Sequence, residues 1–210
     1  MDNTITILVG FLGIVVGSIL TFVFQYFLKN RDLKLRIFEK VFERKWEAQN
    51  RLISCLNQFH REEEHELYLD KEGEAMFYAS VLESKEAFLE SLTDLRKTWE
   101  ETRHLVEPEA TSIYVFFEFY LDYLLEDLNN RDNHYNSIFV GHVLFDEISD
   151  LAEALTQAIW SDIKFQMNNP TKFTSKKHRW IDPKIDERMK QTQLFNLSEL
   201  YYSEVPRQHG

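Results

Sequence analysis

The chain is short of the residues that usually punctuate or cross-link a fold. One cysteine, Cys55, in 210 residues excludes an internal disulfide framework and a cysteine-based zinc cluster within one copy. Four prolines and six glycines exclude collagen-like and linker-rich architectures, and 44% hydrophobic residues exclude a wholly disordered chain. No proline interrupts residues 1–107, and Gly73 is the single glycine between positions 18 and 140, so helices can run long. Also missing are a glycine-rich phosphate loop, a nucleophile elbow and a zinc-protease helix signature.

Charge is missing from one stretch in particular. From Thr4 to Leu28 there is no Asp, Glu, Lys, Arg or His in 25 residues. A helix of that length covers a hydrocarbon core of roughly 30 Å with some tilt. A cleaved signal peptide would want a basic start and a shorter apolar run, whereas this segment starts Met1-Asp2-Asn3 and closes on Leu28-Lys29-Asn30-Arg31. Residues 1–28 are therefore expected to form a transmembrane anchor. Lys29, Arg31, Lys34 and Arg36 follow the run, opposed only by Asp32, and the positive-inside bias puts the C-terminal side in the cytoplasm and the N-terminus outside. Within the run, Gly10, Gly13, Gly17, Thr21 and Gln25 recur at helical spacing. Small residues at that spacing let helix backbones approach closely, so this face is the candidate oligomerisation surface of a homo-oligomer.

The remaining charge is unevenly spread. Residues 29–51 hold 8 Lys/Arg against 4 Asp/Glu, residues 60–160 hold 7 against 24, and residues 161–210 hold 9 against 6. A basic collar, an acidic body and a mildly basic tail, with a net charge of −11, argue against a nucleic-acid partner.

The pattern after the anchor is helical. Leu35, Phe38, Phe42, Gln49, Ile53 and Leu56 predict a helix over about 29–69, broken around Gly73. Val81, Phe88 and Leu95, with Tyr78, Leu92, Trp99 and Val106, predict a second over 74–106 with a seam of coiled-coil type. Glu107-Pro108 ends it and starts a third over 109–130, in which twelve of the sixteen residues 113–128 are apolar. Glu118, Asp122, Glu126 and Asp127 keep that helix out of a bilayer. Leu144, Ile148, Leu151, Leu155 and Ile159 predict a fourth over 137–167, stopped by Asn168-Asn169-Pro170. The expected fold class is all-α: an N-terminal membrane helix continuing into a stalk and an up-down cytoplasmic bundle over 29–169. A basic tail, 170–210, follows with a short helix near 184–202.

With helices treated as alternating rods, the fourth ends near the level at which the first began. That places Lys172, Phe173, Lys176, Lys177, Arg179 and Trp180 near the inner leaflet, as a lipid-binding segment worth about 1 kcal/mol per charge on an anionic surface. Two Glu-x-x-His pairs, Glu62–His65 and Glu101–His104, have di-iron spacing but fall far apart on those rods. A facing arrangement of Glu118, Asp122 and Glu126 with His142, Asp146 and Asp150 could hold a hard cation, if the third and fourth helices turned those stripes together. His60 lies five residues after Cys55, with no oxyanion donors implied beside it. The expectation is no catalytic residue and no cofactor.

The stretch KNRDLKLRIFEKVFERKWEAQNRLISCL, with Phe38-Glu39-Lys40 at its centre, resembles a pattern in uncharacterised bacterial single-pass membrane proteins, in which a membrane helix runs into a Lys/Glu-rich cytoplasmic helix. The resemblance covers residues 5–60 and brings no catalytic residues. It implies a bacterial inner (plasma) membrane, and some proteins of this build serve in phage defence. Two functions fit. One is a membrane-tethered, self-associating interaction or scaffold protein, with an unknown cytoplasmic protein or ligand as partner. The other is a membrane effector whose bundle senses a ligand and whose assembled spans perturb the bilayer.

Overall fold

The computed structural model describes residues 2–69, 75–130, 135–168 and 184–204. The described residues divide into two compact units, one of residues 2–44, the other of the described residues from Lys45 onward. Helix α1 (Asp2–Leu56) supplies the first unit and, from Lys45 onward, the first helix of the second.

In the first unit every residue from 13 to 37 is exposed. That row includes Ile14, Ile19, Leu20, Phe22, Phe24 and Phe27, each more than half exposed. Among the described residues α1 is the one helix long and apolar enough to cross a membrane. The Ser18 and Thr21 hydroxyls donate to the carbonyls of Ile14 and Gly17, both at 2.8 Å, so these polar groups are satisfied by their own helix.

The second unit is mostly helical. After α1 come a 3-10 turn (Asn57–His60), strands β1 (Glu62–Leu69) and β2 (Ala75–Ala79), and another 3-10 turn (Ser80–Leu82). Helices α2 (Lys85–Thr102), α3 (Pro108–Asn129) and α4 (Ser137–Asn168) then follow, with short α5 (Ile185–Met189) and α6 (Leu197–Glu204) at the end. The expected helix over 29–69 instead stops at Leu56, and the one expected over 74–106 starts at Lys85. Between them lies an antiparallel hairpin pairing Glu62 with Ala79 and His65 with Met76, so the rod reckoning for the basic tail and for His65 does not hold. The physical reason is visible in the residues. Glu62, Glu63, Glu64 and Glu66 would crowd little more than one turn of a helix as like charges, whereas an extended strand spaces the same residues more than twice as far apart along the chain. Met76 and Tyr78 are buried and Phe77 exposed, the two-residue period of a half-buried strand.

Every predicted seam residue of the 74–106 segment is buried all the same, although Tyr78 comes from β2, Val81 from a turn and Val106 from the stretch before α3. α2 opens on Ser84, whose hydroxyl accepts from Ala87 N–H at 3.1 Å. α2 and α3 run antiparallel: Lys85 at the start of α2 donates to the Leu128 carbonyl at the end of α3, while Arg96 meets Glu118. α3 buries Tyr114, Phe116, Phe117, Tyr120, Leu121, Leu124 and Leu128, each worth about 1.5–3 kcal/mol when fully removed from water. α4 lays Val140, Leu144, Ile148, Ala152, Leu155, Ile159 and Ile163 against this layer, with Ala152 rather than Leu151 on the seam.

β2 crosses α4 at Gly141. A Cβ there would sit 3.0 Å from Leu82 Cβ and 3.4 Å from the backbone N and O of Ala79. The next residue, His142, donates from Nδ1 to the Phe77 carbonyl at 2.7 Å. Gly141→Val is therefore expected to push β2 off α4 and cost about 1–3 kcal/mol, read as a lowered midpoint in urea unfolding followed by circular dichroism. An unchanged midpoint would show that the close approach does not matter.

Candidate functional site

Two places in the chain carry polar or small residues where apolar bulk is otherwise the rule. The first is the glycine face of α1. Gly10, Gly13 and Gly17 have nothing within 4 Å of an added Cβ, and Thr21 and Gln25 are exposed, so the whole predicted stripe is open. The Thr21 hydroxyl is already spent on Gly17 O, which leaves the Gln25 amide as the polar group this face can offer a neighbour.

The second is a buried polar network in the second unit. Lys45 Nζ lies 2.7 Å from Asp162 Oδ2 and 3.5 Å from Glu107 Oε1, and the Gln49 side-chain amide donates to Asp162 Oδ2 at 2.7 Å and to the Leu105 carbonyl at 3.5 Å. Lys45, Gln49 and Asp162 are all buried. The network ties α1 to α4 and to the turn that precedes α3. Its carboxylates Glu107 and Asp162 also line a cleft of about 290 Å³, with Pro108, Glu109, Ala158, Ser161 and Phe165. Desolvating an ion pair costs nearly what the pairing returns, so the network acts chiefly as a register device. Sequence reasoning passed over it. The available signal was Lys45 and Gln49 sharing one face with Ala48, Leu52 and Ile53.

A second carboxylate, Glu147 on α4, is a hub. It accepts from the Tyr120 hydroxyl at 2.8 Å and from the backbone N–H groups of Gln193 at 2.8 Å and Leu194 at 3.2 Å. This fastens the C-terminal segment onto α3 and α4, helped by Arg188 over the Phe116 ring at 3.9 Å and by Asn136 N–H donating to Tyr201 Oη at 2.9 Å.

The residues proposed for a cation are not brought together. Arg96 of α2 donates from Nε to Glu118 Oε1 at 3.0 Å and from a terminal nitrogen to Asp122, so this stripe faces α2. His142 faces β2, and Glu126, Asp146 and Asp150 are exposed. The four-residue phase had suggested a meeting of α3 and α4 stripes, but the arginine that neutralises one of them came from another helix. No group of three His, Cys, Asp or Glu among the described residues could hold a metal ion. The segment with Lys172, Phe173, Lys176, Lys177, Arg179 and Trp180 lies outside the described residues. Cys55 is buried, and desolvation with the nearby Asp94 carboxylate pushes its thiol up, so it is not poised as a nucleophile. No family model, curated protein or solved structure matches the chain.

Two consequences can be measured. Asp162→Ala leaves Lys45 without its short partner and is expected to cost about 3–5 kcal/mol in denaturant unfolding, whereas Lys45→Met with Asp162→Leu recovers much of that loss. Equal losses for the single and double variants would contradict the register role. Burial, together with Glu118 near Tyr114 and Glu147 near Tyr120, raises both phenols above the ordinary tyrosine range. The unfolded chain ionises first, so their stabilising contribution is complete below about pH 10 and is lost as pH rises toward the folded-state values. Stability should therefore fall as pH rises above about 10, and less steeply in Tyr114→Phe; identical slopes would refute the assignment.

Proposed function

We propose that the chain is a membrane-tethered helical interaction protein, without catalytic activity, that self-associates through Gly10, Gly13, Gly17, Thr21 and Gln25. One observation carries the reading. The uncharged, uncovered apolar run of α1 passes without a break into the residues Lys45–Leu56 that enter the core of the second unit. An apolar helix that continues in sequence into a packed helical body suits a protein held at a surface to meet partners. The basic collar supports an orientation with the body in the cytoplasm and the N-terminus outside, and the resemblance over residues 5–60 supports a bacterial inner membrane. The basic segment Lys172–Trp180 adds an anionic lipid surface as a partner, on composition alone.

The exposed Gln25 amide inside an apolar span also favours a second reading, a membrane effector. Polar side chains in lipid seek one another across helices, and assembled spans would then disturb the bilayer. The two readings separate by toxicity on triggered assembly.

The test is the mass of the full chain in detergent by light scattering, beside Gly13→Ile and Gly17→Ile. A defined oligomer that falls to a single chain in the variants is the expected result. A monomeric parent protein would remove self-association, and release of the protein from membranes by alkaline carbonate would remove the anchor.

A further inference from the structure

The hairpin has one edge sealed and one edge that no described residue pairs with. Ser80 N–H donates to the Arg61 carbonyl at 2.9 Å, which fixes the phase of the ladder. With Glu62 opposite Ala79, Glu63 opposite Tyr78, Glu64 opposite Phe77 and His65 opposite Met76, alternate pairs exchange backbone bonds. Residues 63 and 65 therefore direct their backbone N–H and C=O toward β2, and Glu62 and Glu64 direct theirs away from it. The same alternation sends the Phe77 carbonyl away from β1, and there it meets His142 of α4. So α4 closes the outer edge of β2. On the outer edge of β1, no hydrogen bond from a described residue reaches the backbone of Glu62 or Glu64.

The chemistry of that edge selects its occupant. Glu62 and Glu64 are exposed and have no ion-pair partner among the described residues. Phe77, directly across from Glu64, is 45% exposed on the same face. A second copy of this edge is repelled, because antiparallel addition would set the glutamates against one another. A cationic strand is favoured on every count. Its backbone would satisfy the open N–H and C=O groups, its alternate Lys or Arg side chains would stand opposite Glu62 and Glu64, and a cation would reach the Phe77 ring.

We propose that the outer edge of β1 is a docking site for an extended, cationic segment of a partner protein, which adds to the hairpin as a third strand. This deepens the interaction-protein reading and rests on it. The partner residues opposite Glu62 and Glu64 are the ones whose own N–H groups point at β1, and this makes the site testable atom by atom.

The experiment measures binding of a fluorescent peptide of alternating Lys and Thr to the full chain in nanodiscs, by anisotropy. Two derivatives of the same charge are compared, one methylated on the lysine backbone nitrogens, the other on the threonine backbone nitrogens. Lysine N-methylation is expected to weaken binding at least tenfold, and threonine N-methylation to change it less than threefold. Glu62→Lys with Glu64→Lys should also weaken binding at least tenfold. Equal binding of the three peptides, which marks charge attraction without strand addition, overturns the proposal, and so does no binding. If membrane retention and oligomer mass of the same sample are intact in either case, only the docking site falls and the tethered-interaction reading stands.

Discussion

The rest of the structure depends on a row of apolar side chains that the chain itself leaves uncovered. Between Phe11 and Leu28 the described residues of α1 are exposed, with no charged group among them. At about 25 cal/mol per Å² of apolar surface, such a row cannot stay in water without a large penalty. In the reading proposed above, lipid and a second copy remove it together, and the glycine face is open to both. On that reading the residues C-terminal to Arg44 supply their own stability, because the exposed first half of α1 covers none of their core.

That second unit achieves its stability with an aromatic α3 and a regular α4 seam, and it fixes its registers with a few polar contacts. Lys45 with Gln49 and Asp162 sets the height of α1 against α4. Glu147 secures the C-terminal segment through three donors. Gly141 sets how closely the hairpin approaches α4. Each is a polar or small residue at a crossing point, where apolar packing alone would allow helices to slide.

Much of this was legible beforehand, and the misses have identifiable causes. Glu107-Pro108 and Asn168-Asn169-Pro170 punctuate the chain strongly, so the bounds expected for α3 and α4 agree with the observed Pro108–Asn129 and Ser137–Asn168 within about a residue. The seam of Phe88, Leu92, Leu95 and Trp99 was visible because α2 is long enough for a helical period to declare itself. The hairpin was not visible. Ala75–Ala79 is only five residues, too short to tell a two-residue period from a helical one, and its alanines and methionine are good helix formers. The cation site failed for a different reason. Periodicity places Glu118 and Asp122 on one face of α3, but says nothing about which helix supplies the opposing charge, and Arg96 arrives from α2. The placement of the glycine stripe on one helix was readable, since it needs only spacing along α1.

The account stands or falls on α1 lying across a bilayer. The most direct measurement places single cysteines through residues 3–35 in a Cys55→Ser background. Each is labelled with a membrane-impermeant maleimide in sealed vesicles of defined orientation. A continuous protected window of roughly 20 residues, with labelling before it from one side only and after it from the other, is the predicted result. Labelling that rises and falls every three to four residues, or that reaches both flanks from one side, would mean that α1 lies along a surface or against protein, and would contradict the account.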